Sequence, residues 1–243
     1  MARFDGKVAL VTGSSSGIGR AIAQRLAADG ARVVVNSVRS VDAGEQLAAS
    51  LPDAIYAQAD VADERAAAEL VARAVETWGR LDILVNNAGA TTRIPHHDLE
   101  AVDAELFRRT LDVNLVGPWN VTRAAAPHLR EHGGDVVNIS SIAGVRPTGS
   151  SVPYATSKAA LNHLTRLLAN ALAPDIRVNA VAPGLIATPW TEDWQDMRRA
   201  VEAHAPLQRV GTPEDVAEVC LGLLASSYVT GEVIVADGGL HLR

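Results

Sequence analysis

Lys7-Val8-Ala9-Leu10-Val11-Thr12-Gly13-Ser14-Ser15-Ser16-Gly17-Ile18-Gly19-Arg20-Ala21-Ile22-Ala23-Gln24-Arg25-Leu26-Ala27-Ala28 is the stretch on which the fold turns. Lys7–Val11 is a short apolar run with β-branched residues, suited to a strand buried on both faces. The run from Arg20 is rich in alanine and reads as helix. Between them lies a turn with glycines at 13, 17 and 19. Strand, glycine-rich turn and helix in immediate succession bring the first turn of a helix, with its unpaired N–H groups and positive dipole end, close to whatever the loop cradles. The chemistry this favours is a pyrophosphate, which the backbone can approach where side chains are missing.

Outward from this unit, strands and helices alternate. Strands are predicted at 7–12, 31–36, 54–58, 81–86, 134–139, 176–181 and 231–236. Helices are predicted at 17–29, 41–50, 63–77, 98–130, 152–172 and 213–225. The long helix is expected to be interrupted near Gly117-Pro118, since proline has no N–H to donate. Short connections between alternating elements predict an α/β fold, a doubly wound parallel sheet with helices on both faces. The chain reads as one domain, 1–243, without repeats or linkers. The least regular stretch, 184–212, carries Trp190 and Trp194 and is expected to be a substrate lid.

Composition narrows the function. The chain has 243 residues, a net charge of −6 and 48% hydrophobic residues. The acidic balance argues against nucleic acid or an anionic membrane as a main partner. No stretch approaches the roughly 18 apolar residues of a membrane helix. The N-terminal region has no pattern of a secretory signal. A single cysteine, Cys220, allows no disulfide within the chain and suits a reducing cytoplasm; in its apolar run it reads as a buried structural thiol. The seven histidines show no metal-ligand spacing, so no metal is expected.

Tyr154 and Lys158 stand four residues apart in a helical pattern, which places them on one face. A cation about 5 Å away, at an effective dielectric of about 20, stabilises a phenolate by roughly 3 kcal/mol. That is on the order of two pKa units, towards the range where a general acid/base works. Desolvation opposes part of this. By itself the spacing is common among helices and says little.

Together the motifs resemble the short-chain dehydrogenase/reductase family. Thr12-Gly13-x-x-x-Gly17-x-Gly19 looks like its TGxxxGxG loop rather than the G-x-G-x-x-G fingerprint. Asn86-Asn87-Ala88-Gly89 resembles its NNAG segment. Asn114, Ser141 thirteen positions before Tyr154, Pro183-Gly184 and Asp237-Gly238-Gly239 follow in the family's order. The resemblance covers about residues 5–240. It implies a Rossmann-type sheet of seven strands in the order 3-2-1-4-5-6-7. It also implies hydride transfer between a nicotinamide cofactor and a carbonyl or alcohol.

The implied catalytic residues are Asn114, Ser141, Tyr154 and Lys158. Tyr154 would carry the proton and Ser141 would hold the substrate oxygen. Lys158 would support the tyrosinate and bind the nicotinamide ribose, and Asn114 would hold a water beside Lys158. Cofactor contacts are expected from Thr12, Gly13, Ser16, Gly17, Ile18 and Gly19 at the phosphates. Asp60 and Val61 would meet the adenine, Asp60 doubling as a possible cap for helix 63–77. Asn87, Ala88 and Gly89 would line the ribose, and Pro183, Gly184, Ile186 and Thr188 the carboxamide. At the end of the second strand the chain reads Asn36-Ser37-Val38-Arg39, with no acid to repel a 2′-phosphate. Ser37 and Arg39 therefore favour NADP(H), with NAD(H) the alternative.

A candidate substrate pocket comprises Thr91, Arg93, Ile94, Ile142, Ala143, Arg146, Trp190 and Trp194. The chain resembles 3-oxoacyl-[acyl-carrier-protein] reductases and sugar or polyol dehydrogenases about equally. Arg130 fits the basic helix ends of the former; Asn170 does not. A cofactor-sensing protein without catalysis is the different-class reading, and the presence of Asn114, Ser141, Tyr154 and Lys158 speaks against it. The alanine runs 124–126 and 159–160, with the apolar strand 233–235, are expected to form the faces of a homotetramer.

Overall fold

The computed structural model describes residues 2–243. Seven strands form one parallel sheet: β1 (Val8–Val11), β2 (Arg32–Ser37), β3 (Ala54–Gln58), β4 (Ile83–Asn86), β5 (Asp135–Ile139), β6 (Arg177–Pro183) and β7 (Val233–Ala236). Their order is β3-β2-β1-β4-β5-β6-β7. The chain winds outward from β1 to one edge, returns to its other side at β4, and winds outward again. The C-terminal ends of β1 and β4 thus diverge into a crevice where a ligand fits.

Alternation along the buried strands sorts side chains to two cores. Ala9, Val11, Val33, Val35, Ile83 and Val85 face one side. There they meet Ile22 and Leu26 of helix α1 (Gly17–Ala28), Leu47 of α2 (Val41–Ser50) and Leu221 and Leu224 from the Pro213–Ala225 helix. Val8, Leu10, Val34, Leu84 and Val136 face the other side. They pack on Leu70 and Val71 of α3 (Glu64–Trp78), and on Val121 and Leu129 of the Gly117–Arg130 helix. Period-two alternation in a sheet covered on both faces is the reason the strands are apolar throughout.

The stretch 98–130 is not one kinked helix. It starts later, as α4 (Ala104–Leu111), where Asp103 accepts the Leu106 N–H at 2.7 Å. Asp98 makes a longer bond of the same kind, accepting the Ala101 N–H at 3.3 Å, but the helix starts at the shorter Asp103 cap. Asp112–Val116 is a π-helical turn, and α5 (Gly117–Arg130) follows. The break thus lies just before Gly117-Pro118, and Pro118 sits in the first turn of α5, where its missing N–H costs no intrahelical bond. Helix α3 begins after Asp63, whose carboxylate accepts the Ala66 N–H at 2.8 Å. Asp60 is not that cap; it accepts the Ala62 N–H at 3.0 Å in a turn of its own. The remaining helices are α6 (Val152–Leu172), α7 (Gln195–His204) and α8 (Pro213–Ala225). Helix α7 lies in the stretch expected to be irregular. Cys220 is fully buried, and burial pushes its thiol up to about 12.

At the opposite end of the sheet from the crevice, Asp82 is 1% exposed. Its carboxylate accepts from the Val8 N–H at 2.9 Å, Lys7 Nζ at 3.1 Å and Arg80 Nε at 2.8 Å. Burial pushes this carboxyl up, but Arg80, the Val8 amide and Lys7 outweigh it and hold it below the usual range. A lowered folded-state pKa contributes stability that is present above about pH 4 and is lost as pH falls below it. Asp82→Ala should cost about 2 kcal/mol at pH 7, less than a fully buried pair because both cations are partly solvated. Urea unfolding at pH 7 and pH 3.5 checks this; an equal penalty at both would refute the ionic account.

Candidate active site

The crevice opens into one cavity of about 610 Å³ running along the C-terminal ends of the strands. Its floor at one end is the loop between β1 and α1. Thr12 is buried beneath that loop and does not reach the cavity. Its hydroxyl accepts the Asn87 and Ala88 N–H groups, both at 3.0 Å. Asn87 Nδ2 donates back to the carbonyls of Thr12 and Gly13, both at 2.9 Å. On the other flank the Gly13 N–H donates to Asn36 Oδ1 at 3.2 Å, and the Asn36 N–H to Ser14 Oγ at 3.0 Å.

Two glycines are required by this lashing. Gly13 has φ of +60°, and a Cβ there would stand 2.8 Å from Ala88 Cα. A Cβ on Gly19 would stand 2.4 Å from Asn87 Nδ2. Gly19, like Thr12, lies outside the cavity wall and shapes the loop from below. Gly13, Ser16, Gly17 and Ile18 line the cavity. Ser16 precedes the first turn of α1 in extended conformation, and its side chain makes no cap bond. The first-turn amides are therefore left without a side-chain acceptor, an arrangement that suits an anion. A nicotinamide dinucleotide fits these residues: a cradle of glycines and small serines, a helix N-terminus, and a cavity that runs on to Tyr154.

Further along the same wall stand Ser37, Val38 and Arg39 from the end of β2, and Asp60 and Val61 from the end of β3. The Ser37 hydroxyl is shared with Tyr56 Oη at 2.9 Å. Arg39 is exposed and pairs with no acid among the described residues. Asn87, Ala88, Gly89, Pro183, Gly184, Ile186 and Thr188 line the middle. Thr188 and Thr191 form a reciprocal cap around the 3-10 turn Pro189–Thr191.

At the far end Ser141, Tyr154 and Lys158 meet. Ser141 leaves β5 in extended conformation and caps the 3-10 turn Ile142–Gly144, accepting the Ala143 N–H at 3.1 Å. Tyr154 lies in the first turn of α6, which Ser151 caps. Lys158 is one turn on and 4% exposed. Its ammonium donates to the Ile139 carbonyl at 2.8 Å and stands 5.7 Å from the centroid of the Tyr154 ring.

The electrostatics differ from the sequence expectation. Burial pushes the Tyr154 phenol up, with the Ser141 hydroxyl opposing. Burial also pulls Lys158 down, to about 8. Desolvation acts on both partners of the pair and here exceeds their mutual attraction. The protein alone thus holds Tyr154 as an acid, not as a phenolate.

Asn114 is fully buried in the π-helical turn and does not line the cavity. Its Oδ1 accepts the Ala90 N–H at 2.7 Å, and its Nδ2 donates to the Ala90 carbonyl at 2.9 Å and Ser157 Oγ at 3.0 Å. Both amide protons are spent. Through these bonds Asn114 ties the 88–90 loop to α6. Ser140 donates to the Lys158 carbonyl at 3.3 Å, and Asn138 is bonded to Asn86 and Thr165.

The wall beyond Tyr154 mixes large apolar side chains with the hydroxyls of Thr91, Thr148 and Ser150. Trp190 stands edge-on to Tyr154, with ring centroids 6.3 Å apart. Trp194, Met197, Val201 and Leu240 continue the wall, with Ile142 and Thr91 opposite. Arg93, Ile94, Ala143 and Arg146 lie behind it. Arg93 pairs with Asp196 and lies 5.9 Å over the Trp194 ring. Arg146 donates to the Leu240 carbonyl at 3.0 Å. The two arginines thus lie outside the cavity lining and brace its wall. Asn36, Met197, Val201 and Leu240 were not legible as site residues. Asn36 had a signal, as the last polar residue of an apolar strand, whereas the others reach the cavity only through tertiary packing.

A doubly wound sheet with a glycine cradle at its switch point and a Tyr-Lys pair at the other end of one cleft defines a nicotinamide-dependent oxidoreductase. The chain belongs to the short-chain dehydrogenase/reductase family. A family model described as "Enoyl-(Acyl carrier protein) reductase" matches residues 13–241. The chain is 58% identical to the "Granaticin polyketide synthase putative ketoacyl reductase 2" of Streptomyces violaceoruber, covering 97% of this chain and 96% of that one. It is 40% identical to the 3-oxoacyl-[acyl-carrier-protein] reductase FabG of Thermotoga maritima, covering 98% and 99%. Among solved structures, a "putative short-chain dehydrogenase/reductase from Burkholderia xenovorans" superposes with a TM-score of 0.92 at 39% identity, covering 98% of each chain. Members of the family use NAD(P)(H) and act on small-molecule carbonyl or hydroxyl groups. Among the described residues no helix is long and apolar enough to cross a membrane.

Proposed function

We propose that this protein is an NADP(H)-dependent reductase of ketones, with Tyr154 as general acid and an oxoacyl chain as substrate. The observation that carries this reading is the meeting of Ser141, Tyr154 and Lys158 in the cleft that begins at the glycine loop. The nicotinamide, when bound, supplies the hydride. Ser141 donates a hydrogen bond to the carbonyl oxygen and holds it beside the phenol. Tyr154, kept protonated by its burial, delivers its proton to the oxygen as charge develops there. Lys158, cationic below about 8, stabilises the tyrosinate left behind. Trp190, edge-on to the Tyr154 ring, offers an apolar face beside the reacting atoms. The large apolar side chains Trp190, Trp194, Met197, Val201 and Leu240 give a hydrocarbon-bearing ketone a surface to pack on, and the ketoacyl reductase name of the 58% relative weighs the same way.

NADP(H) is our cofactor assignment because the end of β2 bears no acid, while the exposed Arg39 lines the cavity there. Residues 184–212 act as the substrate lid, and the lone thiol suits the cytoplasm. We also carry a homotetramer. Trp119 on α5 and Leu167 on α6 are exposed, and Ile234 lies on the edge strand β7. Covering these helix faces and that edge takes two different two-fold axes. Light scattering at micromolar concentration should give about four times the 25.5 kDa of the chain; a monomer mass would refute the assembly.

Tyr154→Phe should lower turnover by about 10²–10⁴-fold while NADPH still binds. The ring keeps its contact with Trp190, so only the proton is lost. Steady-state reduction of a 3-oxo ester, with cofactor binding followed by fluorescence, checks this. A variant within about threefold of the parent would sink the assignment.

Arg39→Ala should weaken NADPH roughly ten- to hundredfold and leave NADH nearly unchanged, the size of a charge-assisted phosphate contact. Titration with both cofactors decides. Equal losses would make Arg39 structural, and a parent that prefers NADH would overturn the cofactor assignment.

A further inference from the structure

The segment after β7 does more than end the sheet. Asp237 is buried, and its carboxylate gathers the backbone that follows: it accepts the Gly239 N–H at 2.9 Å and the His241 N–H at 2.7 Å, with His241 Nδ1 at 3.0 Å. The chain turns at Gly238 and Gly239, both in the left-handed region. A Cβ on Gly239 would stand 2.9 Å from Pro206 Cγ, and the Leu207 N–H donates to the Gly238 carbonyl at 3.1 Å. The turn is therefore seated against the end of the segment carrying α7. The 3-10 turn Leu240–Leu242 follows, and Leu240 enters the cavity wall.

One contact joins this segment to the catalytic side. Arg146, five residues after Ser141, reaches across and donates to the Leu240 carbonyl at 3.0 Å. The guanidinium is half-buried and has no acid partner among the described residues. Its one hydrogen-bond acceptor among the described residues is the backbone of that segment.

We propose that Asp237–Leu242 is a strap that closes the distal end of the substrate pocket. Leu240 sets how long an acyl chain is accepted, and Arg146 is the positioning residue that holds Leu240 in place. The inference rests on the ketone-reductase reading and extends it to a specificity determinant. Arg146 and Leu240 touch none of Ser141, Tyr154 and Lys158 by hydrogen bond, so their effect belongs in substrate binding. A pocket wall of this kind discriminates by length, since each methylene that gains or loses its place changes acceptance about tenfold or more.

The test is steady-state kinetics with NADPH on ethyl 3-oxobutanoate and ethyl 3-oxodecanoate. Leu240→Ala should raise kcat/KM for the long ester relative to the short one by about tenfold, and Leu240→Trp should lower that ratio by a similar factor. Arg146→Met should raise KM several-fold for both esters and flatten the length preference, with a smaller change in kcat. Arg146→Lys, which keeps a donor, should recover much of the loss; a merely structural arginine would lose kcat and KM together without such rescue. An unchanged long-to-short ratio in both Leu240 variants, with the parent active, overturns the strap and leaves the reductase reading standing. A parent that reduces neither ester overturns both.

Discussion

The hydroxyl of Thr12 accepting two consecutive amides, those of Asn87 and Ala88, is the interaction on which the cleft depends. It lies where β1 and β4, neighbours in the sheet but far apart in sequence, separate into different loops. The two loops would otherwise each need their own partners for exposed polar backbone. Bound to one another, they form a single rigid floor, and the glycine loop inherits its shape from the strand beside it. Asn36 and Ser14 repeat the device on the other flank. Backbone amides can then face the cavity in fixed directions without help from a ligand, which is the preorganisation that phosphate binding and hydride transfer both need.

Burial sets the chemistry at the other end. Tyr154 and Lys158 share a helix face at the end of the cavity, and each loses solvation of its charged form. The ammonium compensates by donating to the Ile139 carbonyl. A proton is therefore stored on the phenol at neutral pH, which suits delivery to a nascent alkoxide. Asn114 acts at one remove: its amide joins Ala90 to Ser157, whose hydroxyl donates to the Tyr154 carbonyl at 2.7 Å. Loop and helix are thereby held in one register beside Tyr154.

What the sequence made legible follows from range. All seven strands and the helices on both faces were readable because each is a local pattern, apolar runs of strand length or helical periodicity, punctuated by glycine. The glycine loop, the Asn87–Gly89 corner, Ser141, Tyr154 and Pro183 were readable because motif order fixes them, and they line one cavity. Helix α7 was missed because it buries only Val201 and so carries little apolar periodicity. The true start of α4 was missed because a long polar run offers several caps and only packing selects Asp103. The wide turn at Asp112–Val116 has no local signature. Arg93 and Arg146 were read as pocket residues on composition, whereas their partners, Asp196 and the Leu240 carbonyl, lie about a hundred positions away. The balance between attraction and desolvation at Tyr154 could not be read at all, since it depends on how much water the fold removes.

The position of β1 has a consequence for how the chain is made. This strand pairs with β2 on one side and β4 on the other, and β4 begins some seventy residues later. A nascent chain that has emerged only through β3 can complete the half-sheet β3-β2-β1, but the inner edge of β1 then stays open. Its apolar residues and ladder groups wait for Ile83–Asn86 to leave the ribosome. The face of Val8, Leu10 and Val34 is equally bare at that stage, because α3 and α5, which cover it, have yet to emerge. Slow translation or truncation between residues 60 and 82 would prolong that exposure, and sequestration by a chaperone at this stage would protect the margin that later becomes the cofactor crevice.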